Sequence, residues 1–102
     1  MKEYDIFIPL NYNDGSPIES KKLQWLHKIL LDRFDGVTYF PQPNEGYWTM
    51  AGVTYQDEIV IYRVFSTNTR SARKFLKRLK EKLKDDLDQE EILIVERDVR
   101  AL

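Results

Sequence analysis

Apolar and polar positions alternate at the start of the chain, over residues 4–10. Tyr4, Ile6 and Ile8 fall on one side of an extended backbone, and Asp5 and Phe7 fall on the other. A period of two is typical of a strand with one buried face. The pattern therefore predicts a first strand, which ends at the turn-rich residues 11–15.

A helix is predicted next, because apolar residues then recur at spacings of three and four. The residues of this stripe are Leu23, Leu26, Ile29, Leu30 and Phe34. Ser16 is predicted to cap the helix, with Pro17 at its first position and Glu19 completing a capping box. Gly36 is placed to end the helix in a left-handed conformation.

The middle of the chain predicts three further strands, over residues 37–40, 47–55 and 58–65. The first of them ends at the two prolines of residues 41–43. The other two would be joined by a tight turn near Gln56 and Asp57, where a hairpin needs polar residues. Gly52 would mark a bulge within the strand 47–55.

A second helix and a last strand complete the pattern. Residues 66–69 offer N-caps, and 92–95 form a short β-branched run. The apolar stripe of the helix consists of Ala72, Phe75, Leu76, Leu79, Leu83 and Leu87. This order predicts a single α+β domain over residues 1–102, a ferredoxin-like split β-α-β sandwich. It would have an antiparallel sheet, two helices on one face and an extra hairpin strand at 47–55.

Composition limits the possible functions. The chain has no cysteine, which excludes disulfides and thiolate chemistry and fits the cytoplasm. It lacks the ~20 consecutive apolar residues of a membrane span, so we expect no membrane association. The N-terminal residues 1–5 do not resemble a signal peptide, since the apolar stretch after them is short and contains Pro9.

Catalytic and cofactor signatures are also missing. No phosphate-binding glycine motif is present, and we expect neither a cofactor nor a metal site. His27, the single histidine, lies on the apolar side of the first helix. It would be a residue at the edge of the core or, in the alternative, a general base shielded from water.

The second helix concentrates positive charge. Eight basic residues and one acidic residue between positions 70 and 84 give a local charge of +7, in a chain whose net charge is -1. This face is either a solvated surface or a site that contacts phosphates. The candidate polyanion-binding residues are Arg70, Arg73, Lys74, Lys77, Lys80 and Lys84.

Aromatic residues are the second indication of a binding surface. The chain has 13 of them, more than two helices on one face could cover. The candidates for the uncovered face, as an interface or a pocket, are Phe7, Trp48, Tyr55 and Tyr62. Such a face can stack nucleobases or pack against a second copy of the domain.

Two family resemblances follow from short motifs. Residues 6–10 resemble the first-strand signature of the RNA-recognition motif, but the third-strand signature of that family is missing from 58–65. The segments 36–38, 46–48 and 57–58 are similar to small uncharacterised bacterial proteins with a G-x-T strand and a G-x-W strand. That resemblance implies a ferredoxin-like α+β fold and a bacterial origin, and it implies no activity.

These observations predict a non-catalytic, self-associating interaction module that forms a homodimer through its sheet. The first alternative is a protein that binds nucleic acid through the basic face of the second helix. The second alternative is a small enzyme with a site between the loop 41–46, Trp48 and His27.

Overall fold

A computed structural model shows four strands and two helices. In chain order the elements are β1 (Lys2–Pro9), α1 (Ser20–Arg33), β2 (Val37–Met50), β3 (Val53–Ser66), α2 (Thr69–Asp86) and β4 (Ile94–Asp98). The structure describes the backbone of all 102 residues. It describes every side chain except those of Gln42, Pro43, Asn44, Trp48, Met50 and Tyr55.

The strands form one antiparallel sheet in the order β2-β3-β1-β4. β1 and β3 are therefore central, and each helix connects two strands that are not adjacent in the sheet. This is the ferredoxin-like split β-α-β arrangement, and the predicted fold class is confirmed.

The core lies between one face of the sheet and both helices. Alternation along β1 directs Tyr4, Ile6 and Ile8 into it, as the sequence pattern predicts. The neighbouring β3 contributes Val60, Tyr62 and Val64, which are directly opposite those residues in the ladder. Helix α2 contributes Ala72, Leu76, Leu79 and Leu83, and α1 contributes Leu26 and Leu30.

Tyr62 was expected on the uncovered face, and that expectation is wrong. Its cross-strand partner is Ile6, and directly opposed residues point to the same side of a sheet. Because Ile6 faces the helices, Tyr62 faces them too and is 2% exposed.

The middle strands differ from the sequence prediction in where the chain turns. The turn falls at Ala51 and Gly52, which both have positive φ (52° and 78°), and not at residues 56–57. Residues 47–55 are consequently not one extra strand: they end β2 and begin β3. Two residues with positive φ match the twist of a tight hairpin, and this is the role of Gly52. The irregularity in the ladder lies instead between Phe40 and residue 44, at prolines that have no N–H to donate.

The β2–β3 hairpin extends beyond the rest of the sheet. β1 pairs with residues 59–66 of β3 and ends at Pro9. Residues 53–58 of β3 therefore have only β2 as a strand neighbour. They form, with residues 45–50, a two-stranded ribbon, the hairpin arm.

Neither end of α1 has the cap that the sequence predicts. α1 begins at Ser20 with Glu19 as N-cap, so the predicted cap at Ser16 is wrong. The Ser16 hydroxyl donates to Asp14 Oδ1 at 2.5 Å instead, because the chain from Asn11 to Pro17 closes a small bridged loop. The helix ends at the extended C-cap Phe34, which removes the predicted left-handed cap at Gly36.

The predicted N-cap of α2 is confirmed. Asn68 is the N-cap residue, and its Oδ1 accepts a hydrogen bond from the Ser71 N–H at 3.1 Å. This bond satisfies one of the donors that a helix leaves unpaired at its start.

We expect Asn68→Ala to lower the free energy of unfolding by about 1 kcal/mol, because the Ser71 N–H loses its acceptor. Ser16→Ala, which removes a hydroxyl outside either helix, should change it by less than about 0.5 kcal/mol. Urea denaturation of both variants measures the difference. Equal losses would contradict the cap assignment.

Candidate functional site on the open face of the sheet

The face of the sheet opposite the helices, here called the open face, carries an apolar row across three strands. Phe7 of β1, Ile61 of β3 and Phe40 of β2 are consecutive cross-strand partners, so their side chains are neighbours. All three are partly exposed. Phe65, further along β3, is 41% exposed. Phe7 is therefore placed where the sequence predicted it.

A charged cluster lies beside this row. It consists of two carboxylates and two guanidinium groups, from Glu3, Asp5, Arg63 and Arg97. Asp5 accepts hydrogen bonds from Arg63 Nε at 2.8 Å and Nη2 at 3.0 Å, and from Arg97 Nη1 at 2.9 Å. Glu3 forms an ion pair with Arg63 Nε at 2.8 Å and accepts a hydrogen bond from Arg97 Nη1 at 3.3 Å. The formal charges of the cluster sum to zero.

The two carboxylates of the cluster are buried, although no helix covers this face of the sheet. Asp5 is 3% exposed and Glu3 is 8% exposed. The Arg63 guanidinium also lies 5.2 Å from the centre of the Phe40 ring, within cation–π range. Hydrogen bonds from Arg63 hold the pKa of Asp5 below its ordinary value of 3.8, against the opposing effect of burial. The result is a rigid, neutral polar centre bordered by apolar side chains.

Sequence reasoning missed this cluster. None of the four residues was a candidate, because each looked like a solvated charge. The available signal was position: Glu3 and Asp5 lie within a strand, on the side away from its apolar residues, where an unpaired carboxylate is costly. The partners Arg63 and Arg97 come from distant segments, and only the strand register brings them together.

We expect the stability of the protein to fall as pH decreases through and below 3.8, the ordinary Asp5 pKa. The folded-state pKa is lowered, so the stabilisation from Asp5 is complete above 3.8 and is lost on protonation. Asp5→Asn should cost about 1–3 kcal/mol near neutral pH, because the arginines lose an ionised acceptor, and should weaken the acid dependence. Denaturation across this pH range tests both effects. Asp32→Asn, at an exposed carboxylate of α1, is the control, and an identical pH profile for Asp5→Asn and the wild type would contradict the assignment.

The remaining aromatic candidates are placed differently. The side chains of Trp48 and Tyr55 lie outside the described residues. Their backbones are cross-strand partners in the hairpin arm. Tyr62 is buried under the helices, where its pKa is raised to about 12 by burial and by the neighbouring Tyr39.

His27 is exposed and lies against aromatic rings on the helix side of the sheet. Its ring contacts Tyr39 and Tyr62 edge-on, with centroids 6.5 and 6.3 Å away. Tyr62 lies seven positions along β3 from Tyr55, the strand partner of Trp48, which is roughly 23 Å of extended chain. The structure therefore does not bring His27 and Trp48 together.

The basic face of α2 is partly neutralised. Arg73 pairs with Glu96, Lys80 with Glu91 at 2.9 Å, and Lys84 with Glu81 at 3.6 Å. Among the described side chains, no ion pair involves the other three candidates, Arg70, Lys74 and Lys77. The charge available to a polyanion is consequently smaller than the sequence indicates.

The described residues contain neither a metal-binding cluster nor a membrane-spanning helix. No group of three or more histidine, aspartate or glutamate side chains is arranged to hold a metal ion. No helix in the same part of the chain is long and apolar enough to cross a membrane.

Comparison with known proteins supports the fold. The sequence matches no protein-family model and no curated protein. A phage SAM lyase in complex with S-methyl-5'-thioadenosine is similar in structure, with a TM-score of 0.67 and 15% identity over 95% of this chain and 80% of that one. A point mutant of CutA1 from Pyrococcus horikoshii OT3 is similar too, with a TM-score of 0.63 and 14% identity over 100% of this chain and 86% of that one. At these identities the likeness is one of fold.

Proposed function

We propose that the protein is a non-catalytic interaction module that forms a homodimer by packing its open face against that of a second copy. The observation that carries this proposal is the apolar row Phe7–Ile61–Phe40 beside a neutral, internally paired charge cluster. An antiparallel sheet that faces water normally presents polar side chains on that side. A contiguous apolar row there favours burial against a partner.

The charge cluster makes this face suited to a copy of itself. In a two-fold dimer the same patch meets itself, so a patch with net charge would repel its partner. Here the two carboxylates and two guanidinium groups cancel, and their hydrogen bonds are already made within one chain. Most of the cost of desolvating Asp5 is therefore incurred on folding and not on association.

The hairpin arm gives a second support. Its strands pair only with each other, and an isolated two-stranded ribbon is marginally stable in water. It also exposes apolar surface on the side of the open face: Val53, an even number of residues along β3 from Ile61, is 52% exposed. Contact with a second copy would bury this surface and stabilise the arm.

Nucleic-acid binding through α2 has less support. Half of the six candidate residues are held by carboxylates of the same chain, which a phosphate would have to displace. The enzyme alternative loses its proposed site, because the backbone register separates His27 from Trp48.

The absence of cysteine supports a cytoplasmic location, and the bacterial origin rests on the motif resemblance.

We expect Ile61→Asp to convert the dimer into a monomer of 12.2 kDa, because it places a carboxylate at the centre of the apolar row. Sedimentation velocity at micromolar concentration measures the mass, and circular dichroism checks that the variant is folded. Leu31→Asp is the matched control, since Leu31 is 52% exposed on α1, on the other side of the sheet. It should leave the mass unchanged.

A concentration-independent monomer for the wild-type protein would overturn the proposal. So would a folded Ile61→Asp variant that remains dimeric, because that result would place the interface elsewhere.

A further inference from the structure

A groove lies between α2 and the edge strand β4, on the helix side of the sheet and separate from the open face. It encloses about 340 Å³, which is within the range of sites for small molecules. Leu76 and Ile94 supply its apolar lining, and Arg73, Lys77 and Lys80 supply positive charge from α2. A groove of this kind matches a ligand with an apolar body and an acidic group.

The hydroxyl of Tyr4 gives an independent indication of a ligand. Tyr4 lines the groove and is 2% exposed, and its buried hydroxyl makes no hydrogen bond of normal geometry with the described residues, although Glu96 and Thr69 lie close enough to influence its pKa. Leaving such a group unpaired is costly, so unpaired groups are rare in folded proteins. Burial, together with the adjacent Glu96 carboxylate, raises the pKa of Tyr4 to about 12. The hydroxyl is therefore protonated and able to donate.

An ion pair lies over this hydroxyl. Arg73 donates two hydrogen bonds to the Glu96 carboxylate, at 2.7 and 2.6 Å, and they lower the pKa of Glu96 to about 2. Lys77, one turn along α2 from Arg73, has no ion-pair partner among the described side chains. The groove thus holds the Arg73 guanidinium, which an internal carboxylate occupies, the ammonium group of Lys77, which has no ion-pair partner among the described side chains, and the Tyr4 phenol, which lacks a hydrogen bond of normal geometry.

We propose that this groove binds a small organic anion, in which a carboxylate or phosphate group is attached to an apolar body. The acidic group takes the place of the Glu96 carboxylate on Arg73 and accepts hydrogen bonds from Lys77 and the Tyr4 hydroxyl. The apolar body lies against Leu76 and Ile94. Glu96 acts as an internal competitor that occupies the guanidinium until the ligand displaces it.

The test is an NMR titration of the ¹⁵N-labelled full chain with phenyl phosphate and with benzoate, up to ~10 mM, where weak fragment binding is measurable. Benzyl alcohol is the uncharged probe. Backbone amide shifts should concentrate at residues of α2 and β4 that line the groove. Both anions should saturate, and benzyl alcohol should bind at least tenfold more weakly because it lacks the charge-assisted hydrogen bonds.

Four variants distinguish a specific binding site from general electrostatic attraction. Lys77→Gln and Tyr4→Phe should each weaken phenyl phosphate binding by about threefold to tenfold, since each removes one donor. Tyr4→Phe should also leave the fold as stable as before or more stable, because the hydroxyl it removes is unpaired. Glu96→Gln should strengthen binding, because it removes the competing charge. Arg78→Gln is the matched control: it removes one charge from the same helix but lies outside the groove lining.

Three results would overturn the proposal. The first is the absence of saturable shifts in the groove with either anion. The second is weakening by Arg78→Gln equal to that by Lys77→Gln, which would show diffuse attraction to a basic helix. The third is unchanged binding in Tyr4→Phe together with weaker binding in Glu96→Gln. The outcome is independent of self-association, since the groove and the open face are on opposite sides of the sheet.

Discussion

Strand β1 is the element on which the rest of the structure depends, because it is hydrogen-bonded along both edges. It pairs with β3 on one side and β4 on the other, over registers that involve residues 2–9 and 2–6. A strand in this position determines which side chains face the core and which lie on the open face. Its even-numbered residues from Tyr4 to Ile8 enter the core, and its odd-numbered residues set the composition of the open face. A slip of one residue would replace Tyr4, Ile6 and Ile8 in the core with the odd-numbered residues of the strand, which include the carboxylates of Glu3 and Asp5.

The two faces are stabilised by different forces. Under the helices the sheet buries aliphatic and aromatic side chains, and the favourable term is the removal of apolar area from water. On the open face Asp5 and Glu3 are buried only because Arg63 and Arg97 cover and pair them. That arrangement joins three strands through their side chains in addition to the ladder. It also leaves the face without net charge, which is the property that a surface meeting its own copy requires.

The parts that sequence could predict were those with local periodicity. The alternation in β1, the apolar stripe of α2 and an N-cap for α2 within residues 66–69 depend on near neighbours in the chain, and all three are confirmed. The start of α1 and the turn at Ala51 were missed because longer-range pairing decides them. The bridge between Asn11 and Pro17 delays the helix, and the β2–β3 register places the turn at Ala51 and Gly52. The charged cluster and the groove could not be predicted, since each combines residues of distant segments.

The pairing of β1 with β4 brings the two ends of the chain side by side. Lys2 is opposite Asp98, and the Val99 N–H donates to the Met1 carbonyl at 3.0 Å. During synthesis the central strand therefore lacks one neighbour, and Asp5 lacks Arg97, until β4 has left the ribosome. Such pairing of distant segments raises the contact order and slows folding. It also means that a short linker could join the existing ends, so that the chain could be reopened at the Ala51–Gly52 turn as a circular permutant.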